Sequence, residues 1–137
     1  MALTHLLDTS VLTRLREPAV RESIDEMARR GELARAGISD LEIGFSARNA
    51  GEWDRLTDAL EAFELVESTA EHVRRARQVQ RLLAAKHQRG LKVPDLLVAA
   101  AAETRSLTVL HYDGDFDLIA ALTGQVCRWV VPAGSID

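Results

Sequence analysis

The sequence predicts an α/β domain with a largely parallel central sheet flanked by helices. Three observations carry that reading. Short apolar runs of strand length alternate with longer stretches of helical periodicity. Four acidic motifs (LLDTSVL, SDLEIGFSAR, VPDLLVAAAAE and VLHYDGDFDLIA) each set a carboxylate beside an apolar run, three of them where a strand ends or a helix begins. Finally, 137 residues, 47% of them hydrophobic and only three of them proline, suffice for one core and leave no room for a second, so residues 1–137 read as a single domain.

The elements follow in order. Residues 3–7 form a buried strand that ends at Asp8, and Thr9 to Leu15 a short helix. Pro18 suits the first turn of the next helix, which runs to Arg30 with Val20, Ile24 and Met27 on one face and stops at Gly31. Residues 33–38 are the second strand. Ser39-Asp40-Leu41-Glu42 has capping-box spacing, so a helix is expected from Ser39 to Asn49. Trp53, Leu56 and Leu60 mark another helix, and Phe63 to Glu67 a strand.

The longest helix spans 69–89, with Val73, Ala76, Val79, Leu82 and Leu83 as its apolar stripe and Arg74, Arg75, Arg77 and Arg81 over much of the rest. Pro94 separates it from a helix over Asp95–Glu103, which has almost no polar face and is expected to be buried on most sides. Leu107–His111 is a strand, Asp115–Leu122 a helix and Cys127–Val131 the last strand.

Bulk chemistry excludes several classes. One cysteine, Cys127, forms no internal disulfide, and the N-terminus lacks a basic region ahead of its short apolar run. With no membrane-spanning stretch, a reducing, cytoplasmic setting is expected and no membrane partner. The net charge of −4 argues mildly against unaided nucleic-acid binding, but acids that hold a cation present a positive centre once loaded. No GxGxxG or GK[ST] motif supports a nucleotide site.

Each acid has an ordinary structural reading. Asp8 could N-cap the following helix, Glu42 could complete the capping box, Asp95 could favour a helix N-terminus, and Asp113-Gly114 could be a turn. Those readings weaken jointly, because an open parallel sheet gathers the ends of its strands into one crevice. Carboxylates gathered there repel one another, and a divalent cation is the simplest resolution. Asp115 belongs with them as a ligand or a neighbour of one, or caps the next helix; Asp117 faces solvent. Thr9 and Ser10 can orient Asp8. Lys86, Arg89 and Lys92 form either a solvated helix end or a weak contact for RNA phosphates. His111 sits at a strand end beside this site, and one histidine is weak support for catalysis.

The ordered set of motifs resembles the PIN-domain ribonucleases, and among them the VapC toxins of bacterial toxin–antitoxin pairs. The likeness covers nearly the whole chain and extends to the TGQ and the WVVPAGSI that follow the fourth motif. It implies a PIN-like α/β/α sandwich. It also implies Mg²⁺, or Mn²⁺, held by Asp8, Glu42, Asp95 and Asp113 as the catalytic acids, with Asp115 nearby. His111 stands where many relatives have threonine, which leaves the ligands intact. The implied function is cleavage of structured RNA such as transfer or ribosomal RNA, blocking translation, with a homodimeric enzyme neutralised by a VapB-type antitoxin. Two rivals remain: a receiver-like Mg²⁺-binding phosphoacceptor domain, against which stands that the only lysines, Lys86 and Lys92, are not suitably placed, and a catalytically inert interaction module.

Overall fold

A computed structural model describes residues 2–137; Met1, the first residue of the expected domain, lies outside the described residues. Five strands, β1 (His5–Leu7), β2 (Leu33–Ala36), β3 (Glu64–Val66), β4 (Thr108–His111) and β5 (Cys127–Trp129), form one sheet in the order β3-β2-β1-β4-β5. Every pairing is parallel. The expected sheet is therefore present, and it is parallel throughout.

The side-chain alternation of strands divides the core in two. Leu6, Ala34, Ala36 and Val109 face a cluster that includes Ala76, Val79, Leu96, Val98 and Phe116. Leu7, Leu33 and Leu110 face a second cluster with Val11, Val20, Ile24, Leu60 and Phe63. The first layer is made by α5 (Ala70–Ala85), α6 (Val93–Thr104) and α7 (Asp115–Thr123); the second by α1 (Thr9–Leu12), α2 (Pro18–Arg29) and a 3₁₀ turn at Ala59–Ala62. This is the three-layer sandwich of the PIN-like fold. Between the layers run α3 (Gly37–Gly44) and α4 (Ala50–Asp58).

Several boundaries differ from expectation for identifiable reasons. The helix α3 begins at Gly37, with Ala36 as its N-cap, so there is no capping box at Ser39. Ser39 is fully buried in the first turn, where its hydroxyl lies 2.8 Å from Thr9 Oγ1. A partner from α1 has taken the group that local pattern assigned to the helix end. That helix closes at Gly44, where a Cβ would fall 2.2 Å from Trp53 Nε1; the packing of α4 therefore requires glycine there. In α5 the buried face includes His72, which completes a reciprocal cap with Thr69, and leaves Val73 and Leu82 exposed. Pro94 lies in the first turn of α6, where its missing N–H is no loss, and so starts the helix at Val93 instead of holding that residue outside it. At Gly31, φ of +68° ends α2 in the left-handed region that glycine adopts without strain.

The strand order places the site. The chain departs outward from β1 in one direction and from β4 in the other, so these two neighbours mark the switch point, where the carboxyl ends open a crevice. Asp8 follows β1 and Asp113 follows β4. The helix α6 feeds into β4 and runs against the strands, which brings its first turn, with Asp95, to the same edge. Among the described residues no helix is long and apolar enough to cross a membrane.

Candidate active site

Asp8, Glu42, Asp95 and Asp113 line one cavity of about 240 Å³, together with Thr9, Ser10 and three cationic or aromatic neighbours, Arg14, Lys92 and Tyr112. Asp115 joins them from α7: one carboxylate oxygen each of Asp95, Asp113 and Asp115 lie within 4.8 Å of one another. All five acids singled out in the sequence thus converge, although they come from four separate segments.

Asp8 and Asp95 are 2% and 4% exposed. One oxygen of each, Asp8 Oδ1 and Asp95 Oδ2, is buried without any hydrogen-bond donor. A buried carboxylate oxygen is costly without a partner, and two of them lining one cavity have donor chemistry that suits a cation. The other oxygen of Asp8 is fixed: Ser10 donates to it from its backbone N–H at 3.0 Å and from its hydroxyl at 2.6 Å. Ser10 Oγ also accepts from Tyr112 N–H at 2.8 Å, which ties the end of β1 to the end of β4.

Burial raises the Asp8 carboxyl above its ordinary range, and the Glu42 charge adds to this, while the bonds from Ser10 oppose it. Asp95 is pushed up to about 8, by burial first, then by the neighbouring Asp115 carboxyl and the charges of Asp8 and Asp113. Burial also works to raise Asp113, but Lys92, the Asp115 N–H and His111 outweigh it and hold this carboxyl below its ordinary value. Strong perturbation of neighbouring carboxyls in opposite directions is what crowded functional acids show.

The supporting residues divide differently from expectation. Ser10 orients Asp8, as predicted, but the Thr9 hydroxyl points to Glu42, donating to Oε1 at 2.6 Å. His111 is fully buried, stacked on Phe116, and its Nδ1 accepts from Asp113 N–H at 3.2 Å. It therefore shapes the turn that carries Asp113, and burial lowers the pKa of its ring. Lys92 is exposed at the N-cap of α6, and it also reaches the acids. Its ammonium lies 2.8 Å from Asp113 Oδ2 and 4.0 Å from Asp95 Oδ2, so one of the two lysines is placed at the acids after all. Lys86 and Arg89 are exposed and outside the cavity. Asp117 is exposed as expected, and accepts from Trp129 Nε1 at 3.1 Å.

Arg14 escaped the sequence reading. Its guanidinium donates to Ser10 O at 2.8 Å, pairs with Asp137 at 2.9 Å and lies over the Tyr112 ring. The signal available was its place one helical turn beyond Ser10, which puts both on the wall that Asp8 begins.

Residues 5–122 match the family described as PIN domain. The chain belongs to the PIN-domain family. This PIN domain is 64% identical, over the whole length of both chains, to a Mycobacterium tuberculosis protein named ribonuclease VapC51. It is 42% identical to ribonuclease VapC21 of the same organism, across 98% of this chain and 99% of that one. These relatives place it among the VapC proteins. Solved structures agree on the fold. VapBC2 from Rickettsia felis, bound to a DNA fragment from its promoter, aligns with a TM-score of 0.78 at 14% identity over 94% of this chain and 98% of that one. DNA-bound VapBC from Salmonella typhimurium gives 0.78 at 17% identity over 94% and 99%. The PIN fold, rather than a receiver-like one, accounts for the acidic crevice.

Proposed function

We propose that this chain is a divalent-metal-dependent endoribonuclease toxin of the VapC type, acting as a single domain in the cytoplasm. The observation that carries this reading is the pair of buried carboxylate oxygens, Asp8 Oδ1 and Asp95 Oδ2, that lack any donor inside a cavity shared with Glu42 and Asp113. The names of the relatives, each a ribonuclease, support the substrate class.

The donor set fits a hard cation: every candidate ligand is a carboxylate oxygen. Asp8 and Asp95 would hold Mg²⁺ or Mn²⁺ directly, with Glu42, Asp113 and Asp115 completing its surroundings. Such an ion, when bound, supplies Lewis-acid stabilisation of phosphate charge and a more acidic water. The chain's own groups do the rest. Ser10 and Thr9 fix the orientations of Asp8 and Glu42, and the Asp115 N–H holds Asp113 Oδ1 at 3.0 Å. Lys92 and Arg14, on the cavity wall, bind substrate phosphate and orient the scissile bond. The leaving group is the 3′-oxygen, so products carry 5′-phosphates and the RNA 2′-hydroxyl takes no part. Structured RNA, transfer or ribosomal, is the expected substrate, and loss of translation the outcome.

Two partners complete the reading. The structural neighbours are toxin–antitoxin complexes, which supports a VapB-type antitoxin for this chain. A homodimer is the expected solution state, to be checked by light scattering. The deciding experiment is mapping of RNA ends after induction of the wild type and of Asp8→Asn. Cleavage that persists in excess EDTA, or ends bearing 2′,3′-cyclic phosphate, would rule the scheme out.

A further inference from the structure

Arg74, Arg77 and Arg81 lie on the pole of α5 that faces away from the core. At 3.6 residues per turn the three fall within an arc of about 60°, opposite the buried Ala76, Val79 and Leu83. All three are exposed and line one shallow surface hollow with Gln78 and Gln80. None of them takes an acid partner among the described residues. Near the end of α2, by contrast, Arg29 pairs with Asp25 and Glu26, and the C-cap Arg30 with Glu26, while Arg21 donates only to backbone carbonyls. Like charges three and four residues apart destabilise a helix by a few tenths of a kcal/mol per pair. The outward face of α5 therefore carries a like-charge repulsion that a bound polyanion would relieve.

The direction of the helix gives the row its meaning. Arg75, near the start of α5, bonds Glu103 at the end of α6 at 2.6 Å. Leu83, near the end of α5, shares a hollow with Leu96 in the first turns of α6. The two helices are antiparallel, and α5 climbs toward the edge where Asp95 stands. From Arg74 to Arg81 it rises about 10.5 Å. The chain then passes Lys86 and Arg89 and reaches Lys92, whose ammonium lies on Asp113. The row of unpaired arginines thus leads, along the chain through Lys86 and Arg89, to Lys92, which is paired with Asp113 at the acid cavity.

We propose that this face of α5 is a track for the phosphodiester backbone of the RNA substrate outside the cleavage site. The proposal rests on the ribonuclease reading. A guanidinium row suits phosphate oxygens and positions a strand without reading its bases. An acidic protein segment fits less well, because following the same line would bring its carboxylates against those of the cavity.

The test uses the full chain carrying Asp95→Asn, so that RNA is bound but not cut. Binding of labelled total transfer RNA is followed by fluorescence anisotropy across a series of salt concentrations. Replacing Arg74, Arg77 and Arg81 together by glutamine is expected to weaken binding about tenfold or more and to make the slope of log K against log salt shallower by about 2–3. Replacing the three by lysine is expected to keep both. Should the glutamine triple variant melt early, Arg77→Gln alone is expected to change the slope by about 1. Unchanged affinity and slope would overturn the track, as would loss of binding to a partner protein with RNA binding intact. The two readings fail separately: a wild type that never cuts RNA defeats the nuclease assignment, whereas a wild type that cuts, beside a triple variant that binds normally, defeats only the track.

Discussion

Arg35 on β2 and Asp8 after β1 sit one residue apart in register, since Leu7 pairs with Arg35, and both are almost wholly buried. Their surroundings are opposite. Arg35 donates to Asp40 at 2.8 and 3.2 Å, to Leu60 O at 2.7 Å and to Phe63 O. Asp8 keeps one oxygen without a donor, and Asp95 across the cavity does the same. A buried charge whose every bond is made belongs to the framework; a buried charge with a bond withheld belongs to the chemistry. The contrast supports the proposed site, and it can be broken at either end.

The largest expected effect is at the framework end. Arg35→Met removes the partner of Asp40 and strands two buried carbonyls, and is expected to cost about 3–5 kcal/mol in urea unfolding. A loss below about 1 kcal/mol would mean that the pair is not what holds the α3 and 3₁₀ segments in place. At the other end, Asp95→Asn removes a repelling charge. It is expected to leave stability equal or higher while reducing RNA cleavage on the order of 10²–10³-fold, the scale of losing a group that shapes transition-state charge. Retained cleavage would remove Asp95 from the site.

A smaller effect is expected from Thr9→Val, which takes away the hydroxyl that orients Glu42. Cleavage should fall about 10–100-fold with the melting temperature nearly unchanged. Equal activity would make the 2.6 Å contact incidental. A further expectation concerns pH. Folding moves the Asp95 carboxyl from 3.8 to about 8 and raises that of Asp8, so within that interval the folded chain binds more protons than the unfolded one. Stability is full below the ordinary carboxylate value and declines as the pH rises through the interval. In EDTA the melting temperature should therefore drop between pH 5 and 8. Mg²⁺ or Mn²⁺, which bind the deprotonated acids, should lessen the drop. The same slope with and without metal would speak against a cation at these residues.

Most of the sheet and the identities of the acids were legible from sequence because both are written in short-range pattern. A strand of three or four apolar residues followed by aspartate needs no distant information. What escaped was decided by partners remote in the chain. Ser39 looked like a cap because its partner, Thr9, is thirty residues away. Lys92 looked solvated because nothing local reveals that Asp113 lies beside it. Val73 and Leu82 fitted the apolar stripe of α5, yet His72 took a buried place because Thr69 could cap it. Arg14 gained its position through Tyr112 and Asp137, more than ninety residues later.

The strand order has a bearing on how the chain is made. Asp8 stands next to β4, so the first acid to leave the ribosome must wait about a hundred residues for its neighbouring strand. Pairings of such long sequence separation form late and slowly. A nascent chain carries Asp8, Glu42 and Asp95 well before Thr108–His111 has emerged to bring Asp113 beside them. The ring of acids therefore closes only after β4 has been made and has found its place beside β1.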